Sequence, residues 1–133
     1  MQTSAGTLDA KPEPQGAVLC RARRKGGLAS WQQKLVCAYI EEHLATNITL
    51  AELADLARLS PFHFCREFKG SVGTSPHRYH VQRRIERAKA LLMERTSSIA
   101  GVAFATGFGG ASQFATAFRR LTGDTPTNYR ARR

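Results

Sequence analysis

Residues 49–79, TLAELADLARLSPFHFCREFKGSVGTSPHRY, return in altered form as residues 98–129, SIAGVAFATGFGGASQFATAFRRLTGDTPTNY. Phe64 with Phe114, Phe68 with Phe118, Gly73 with Gly123, Pro76 with Pro126 and Tyr79 with Tyr129 share one offset of 50 residues. Upstream the offset is 49, pairing Thr49 with Ser98, Leu50 with Ile99, Leu53 with Val102, Ala54 with Ala103 and Leu59 with Phe108. One copy therefore carries an extra residue at its central turn. Self-similarity at this length marks a supersecondary unit used twice. Two copies are too few for a solenoid, so the expectation is two similar surfaces presented to a partner that is itself repetitive.

Punctuation inside each copy predicts helices. Thr49 fits an N-cap with Glu52 three residues on, completing a capping box before a short helix carrying Leu50, Leu53, Ala54 and Leu56. Ser60 caps again and Pro61 takes the first helical position, where a missing N–H costs nothing; this helix runs to about Val72, before Gly73. Ser75-Pro76 repeats the start signal and opens the longest helix, roughly 76–94, with Val81, Ile85, Ala88 and Leu92 inward. Ser98 starts a helix that Gly107 ends, a further one runs from about Ala111 to Leu121 and stops at Gly123, and a short last helix follows Pro126. Ahead of the repeat, Trp31, Leu35, Val36, Tyr39, Ile40 and Leu44 form one helical stripe that ends near Asn47. No segment alternates as a strand, so the predicted class is all-α.

A short helix, a tight turn and a second capped helix make a helix-turn-helix. Ala54 and Ala103 are small where two helices must approach, Leu59 and Phe108 would plug the turns, and Phe64, Phe68, Phe114 and Phe118 would anchor each second helix from its inner face. The opposite face is then free to enter a major groove with its N-terminal residues first. The charge agrees with a polyanionic partner: 133 residues carry +10 with a pI near 10.4. Residues 31–57 hold Lys34 against Glu41, Glu42, Glu52 and Asp55, whereas residues 58–133 hold fourteen bases against Glu67, Glu86, Glu94 and Asp124. Such asymmetry can orient a molecule on a polyanion with its acidic end outward.

The remaining features narrow the class. No run of about 18 apolar residues suggests a membrane helix, and the amino terminus lacks the pattern of a secretory signal. Three cysteines without a CxxC do not form a disulfide framework, so a reducing cytoplasm is the expected location. Residues 1–29, broken by Pro12, Pro14 and several glycines, read as a disordered tail or linker, with a basic run at Arg21, Arg23, Arg24 and Lys25 as a solvated linker or an arm touching phosphate. Cys37, Cys65, His43, His63, His77 and His80 match no common structural zinc spacing, and no residue set supports catalysis, so neither metal, cofactor nor enzymatic activity is expected.

The paired helix-turn-helix, with RAKALL at 87–92, SIAGVAFATGF at 98–108, Phe114 and Phe118 four apart and GDTPTNYR at 123–130, resembles the AraC/XylS family of bacterial transcription regulators. The resemblance covers residues 31–133. It implies a seven-helix module of two subdomains, with helix-turn-helices at 49–73 and 98–121 and a linker helix at 76–94 inside a domain spanning 30–133. A helix of 19 residues is about 28 Å long, near the roughly 34 Å of one turn of B-DNA, so two successive major grooves are the expected target.

By the family's pattern Phe62, Cys65 and Arg66 face the bases, Arg66 suited to guanine and Phe62 and Cys65 to thymine methyls. On the second recognition helix Ser112, Gln113 and Thr116 are the candidate base contacts; Gln113 alone can bind a base bidentately, and this helix is expected to favour phosphate contacts through its N-terminus and Arg119 and Arg120. Ser60, His63, Lys69, Gly110, Arg119 and Arg120 are the expected backbone contacts. The implied partner is double-stranded promoter or operator DNA, read sequence-specifically. The alternative is a stand-alone or truncated module that masks sites or acts by protein contact, for example with RNA polymerase, the family's effector-sensing domain being absent from this chain.

Overall fold

The computed structural model of the chain describes residues 27–132, and among these the secondary structure is entirely helical. Seven helices follow one another: α1 Ser30–Glu42, α2 Leu50–Ala57, α3 Pro61–Val72, α4 Pro76–Glu94, α5 Ile99–Ala105, α6 Ala111–Thr122 and α7 Pro126–Ala131. The expected tail lies outside the described residues as far as residue 26, including its basic run. Its last residues do not: Gly27 and Leu28 donate their backbone N–H groups to Glu67 and to Ser71 Oγ, the latter at 2.6 Å. The chain divides into two compact units, residues 27–36 with 50–76 in the first and 37–49 with 77–132 in the second.

The helix boundaries follow from caps. Ser60 Oγ accepts from His63 N at 3.2 Å, Ser98 Oγ from Gly101 N at 2.9 Å and Thr125 Oγ1 from Asn128 N at 3.1 Å, each relieving an orphan donor of the first turn. Gly73 and Gly123 close α3 and α6 in the left-handed conformation at φ 93° and 83°, returning their N–H groups to Lys69 and Arg119 carbonyls.

In the first unit α2 packs on α3, and Val36, Leu53, Ala54, Ala57, Phe64 and Phe68 are buried. Gln32 Nε2 donates to the Ala57 carbonyl at 2.7 Å, tying α1 to the end of α2. Two members of the predicted α1 stripe depart from expectation: Trp31 is 51% and Leu35 42% exposed, while Val36 and Ile40 are fully buried. Only part of that apolar stripe finds a partner among the described residues. Leu50, the first residue of α2, is also exposed.

The second unit packs Ile85, Ala88 and Leu92 of α4, Val102 and Ala103 of α5, and Phe114 and Phe118 of α6 into one core, with Phe108 and Tyr129 against it. The Phe108–Phe114, Phe114–Phe118 and Phe118–Tyr129 rings stand 5.4, 5.6 and 5.4 Å apart, within the range of favourable aromatic pairs. The basic residues of α4 do not share one environment. Arg83 pairs with Glu41 and Lys89 Nζ with Glu86 at 3.0 Å. Arg84 is buried: Nε donates to the Leu44 carbonyl at 2.8 Å, Nη2 to the Thr46 carbonyl at 2.9 Å, and the guanidinium lies 5.6 Å from the Phe108 ring centroid.

His80, one turn before Arg84, is also buried and bonds the same Leu44 carbonyl through Nε2 at 2.9 Å. Its repeat partner Arg130 bonds the Leu92 carbonyl through Nε at 3.0 Å, so both copies reach back to the chain ahead of their own helix-turn-helix, at the turn after α1 in the first and at the last turn of α4 in the second. Burial holds the His80 pKa below its usual 6.5, against the Leu44 carbonyl that supports the charged form, and the Arg84 and His77 charges lower it further while Glu41 opposes. The native state therefore binds fewer protons at this site than the unfolded chain, and the stabilisation from His80 fades as pH falls below about 6.5. The expected result is that the melting-temperature gap between wild type and His80→Gln is widest at pH 7.5 and narrows at pH 5.5. A gap that widens on acidification would contradict this assignment.

Candidate nucleic-acid interface

The two second helices of the repeat, α3 and α6, are built alike. From position 61 to 79 and from 111 to 129 the alternation of buried, half-buried and exposed residues is the same, position for position. Phe64 and Phe68, like Phe114 and Phe118, lie four residues apart and are fully buried, which fixes the roll of each helix and turns the opposite face outward. Small Ala54 and Ala103 are fully buried where the preceding helices approach. The turns close by equivalent bonds, Leu59 N to the Ala54 carbonyl and Phe108 N to the Ala103 carbonyl, both at 3.0 Å. The extra residue of the second copy falls between Phe108 and Gly110, as the change of offset required.

On α3 the outward face carries Phe62, His63, Arg66 and Lys69, all exposed, with Cys65 half-buried beside them. Phe62 is 76% exposed at the start of the helix, an apolar side chain with nothing to shield it. The helix's one acid, Glu67, is turned aside: it accepts from Gly27 N, and its other oxygen is 3.5 Å from His63 Nε2. His63 is thus engaged by a carboxylate, and the Ser60 hydroxyl is committed to its cap. The side chains left unengaged by those bonds include an aromatic ring at residue 62 and cations at 66 and 69, at helical spacings that share one face.

On α6 the outward face carries Ser112, Gln113, Thr116, Arg119 and Arg120, all exposed, and the helix contains no acid. Arg119 and Arg120 sit in its last turn, where cations complement the helix dipole. The polar residues are less free than the sequence suggested. Gln113 Oε1 accepts from Gly109 N at 3.1 Å, and Thr116 Oγ1 donates to the Ser112 carbonyl at 3.0 Å. Glutamine at the third helical position is a residue type that reaches back over a helix start, and here it takes the N–H of the residue before the N-cap. Gly110 holds an extended backbone at the N-cap position and supplies no side-chain cap.

Elsewhere, further polar groups are engaged within the fold. Cys37 hydrogen bonds Tyr79, whose hydroxyl burial makes harder to ionise. Arg132 pairs with Asp124. No helix among the described residues is long and apolar enough to cross a membrane.

Residues 53–132 match a family model described as a helix-turn-helix domain. The probable transcriptional regulator LumQ of Photobacterium leiognathi is 42% identical over 95 residues, an alignment covering 71% of this chain and 38% of LumQ. The DNA-binding domain of the global transcriptional factor AdpA, solved in complex with a target DNA, is 31% identical with a TM-score of 0.71, covering 76% of this chain and 90% of that one. A transcriptional regulator of AraC type from Chromobacterium violaceum is 26% identical with a TM-score of 0.71, again covering 76% and 90% of the two chains. The chain spans less than half the length of the curated relatives it matches. Paired helix-turn-helices, the matched family model and these neighbours agree: the chain belongs to the AraC-type helix-turn-helix family of DNA-binding transcriptional regulators.

Proposed function

We propose that the chain binds double-stranded DNA sequence-specifically to regulate transcription, each unit inserting its own recognition helix, α3 or α6, into a major groove of a two-groove site. The observation that supports this reading most directly is the shared exposure pattern of α3 and α6, each with cations and no exposed acid on its outer face. The target-bound AdpA domain supports DNA as the partner class. On α3, Arg66 reads a guanine through O6 and N7 while Phe62 and Cys65 meet thymine methyls; Lys69, Arg119 and Arg120 bind phosphates. Cytoplasmic action on the nucleoid follows from that role.

Selection of duplexes from a random-sequence library by the full chain tests the proposal. One sequence should be enriched, and affinity for it should fall at least tenfold between about 50 and 200 mM salt, as release of counterions from several phosphates requires. No enrichment, together with salt-independent affinity, would sink it. On the selected site Arg66→Ala should lose about 1–3 kcal/mol and relax preference at one base pair. Thr116→Ala should change little, since that hydroxyl is already bonded to its own helix, whereas Arg119→Ala and Arg120→Ala should weaken all sequences alike and flatten the salt slope. A larger change of base preference from Thr116→Ala than from Arg66→Ala would reverse the assignment.

A further inference from the structure

We infer that Gln113 is a positioning residue that ties the Gly109 turn to the start of the second recognition helix, and that the α6 half of the DNA site is consequently bound without reading by this amide. The inference rests on the DNA-binding role just proposed and concerns how its two helices divide the work. Among the exposed α6 side chains, Gln113 is the one with the reach and the paired donor and acceptor to engage adenine N6 and N7. In this chain its acceptor is occupied: Oε1 takes the Gly109 N–H at 3.1 Å.

The reason lies one residue away. In the first copy Ser60 caps α3 with its hydroxyl, bonding His63 N. Its counterpart Gly110 has no side chain to offer, so α6 starts without that bond. The extra residue of the second copy, Gly109, instead brings a backbone N–H back over the helix start, and Gln113 receives it. The fit is close enough that a Cβ on Gly109 would lie 2.5 Å from Gln113 Oε1. Gly109, Gly110 and Gln113 therefore form one device. Glycine at 109 makes room for the amide, glycine at 110 offers no side-chain acceptor to the first turn, and glutamine at the third helical position instead ties the incoming turn to the helix start. Thr116, the other candidate reader a turn further on, donates to the Ser112 carbonyl. The consequence is a lopsided operator, rich in information where α3 binds and tolerant where α6 binds.

Three variants of the full chain separate a turn-holding amide from a reader. Gln113→Ala removes both roles. Gln113→Glu keeps an acceptor for Gly109 N–H, with a charge the helix N-terminus favours, but cannot donate and accept across an adenine edge. Gly110→Ser in the Gln113→Ala background restores a cap of the Ser60 kind; a Cβ at Gly110 meets nothing within 4 Å and its φ of 174° suits any residue. Each is melted, and each is titrated with duplexes bearing every single-base change of the site that wild type selects.

The expected result is a melting temperature lowered by about 5 °C in Gln113→Ala, held in Gln113→Glu and recovered in the Gly110→Ser double variant. The order of preference among duplexes should be that of wild type in all three, with uniformly weaker binding for Gln113→Glu because of its added negative charge. An unchanged melting temperature in Gln113→Ala, or loss of a tenfold preference at an A·T pair in it or in Gln113→Glu, would overturn the inference. Failure of wild type to select any sequence would count against the proposed function itself, and the melting temperatures would then decide the positioning role alone.

Discussion

Gly107→Ala should lower stability by about 2–5 kcal/mol, whereas Arg58→Gly, at the corresponding position of the first copy, should raise it by about 0.5–1 kcal/mol. Both residues follow the first helix of a helix-turn-helix and both are left-handed, Arg58 at φ 62° and Gly107 at φ 90°. Both donate backward to close the turn, Arg58 N to the Asp55 carbonyl at 3.0 Å and Gly107 N to the Phe104 carbonyl at 3.1 Å. Their surroundings differ. Arg58 is exposed, so its side chain meets the left-handed penalty and no steric obstacle. Glycine there removes the strain at the smaller cost of a more flexible unfolded chain.

A Cβ on Gly107 would lie 2.8 Å from Ala45 Cα, 2.8 Å from the Ala45 carbonyl oxygen and 2.8 Å from Arg84 Nη2. Two of these atoms are backbone in the segment joining α1 to α2, and the third belongs to a guanidinium fixed by two carbonyls. None can withdraw cheaply, so an overpacking cost adds to the backbone strain. Urea denaturation of the two variants checks the pair. Equal effects at the two positions would mean that close approach to residue 45 does not decide why one copy carries glycine and the other arginine.

These two turns also show what a sequence discloses and what it withholds. The repeat was legible because both copies keep much of their punctuation: Pro76 and Pro126 open helices, and Gly73 and Gly123 close them. Burial of Phe64, Phe68, Phe114 and Phe118 was legible from their spacing, and with it the outward faces of α3 and α6. Periodicity fails where it must name a partner. The α1 stripe contains Trp31 and Leu35 as much as Val36 and Ile40, yet the first two are exposed, because spacing records that a face is apolar and not how much of it another element covers. At the interface, side-chain reach suggested Gln113 as the best reader of α6, but reach is blind to the Gly109 N–H that the turn delivers to it. Charge is equally mute on destination: Arg66, Arg83 and Arg84 look alike in sequence, and one faces outward, one meets Glu41 and one is buried.

That last distinction has a large measurable consequence. Arg84→Ala should destabilise the protein by about 2–4 kcal/mol, more than any other single arginine-to-alanine change on α4. Two buried-side bonds are lost, from Nε to the Leu44 carbonyl and from Nη2 to the Thr46 carbonyl, together with the cation–π contact to Phe108. The Leu44 carbonyl retains His80 Nε2 at 2.9 Å; the Thr46 carbonyl loses the donor that the guanidinium supplied. Hydrogen bonds from a charged donor in a largely desolvated place are the stronger kind, although burial also disfavours the charge and lowers the Arg84 pKa, which keeps the net effect below the sum of its contacts. Arg84→Lys should recover only part of the loss, because one ammonium cannot reproduce the planar fork that reaches two carbonyls and stacks on a ring. Arg87→Ala, at an exposed position of the same helix, should stay within about 0.5 kcal/mol. Thermal unfolding of the three variants checks the ranking, and a stability of Arg84→Ala equal to that of Arg87→Ala would show that the fold does not depend on this guanidinium.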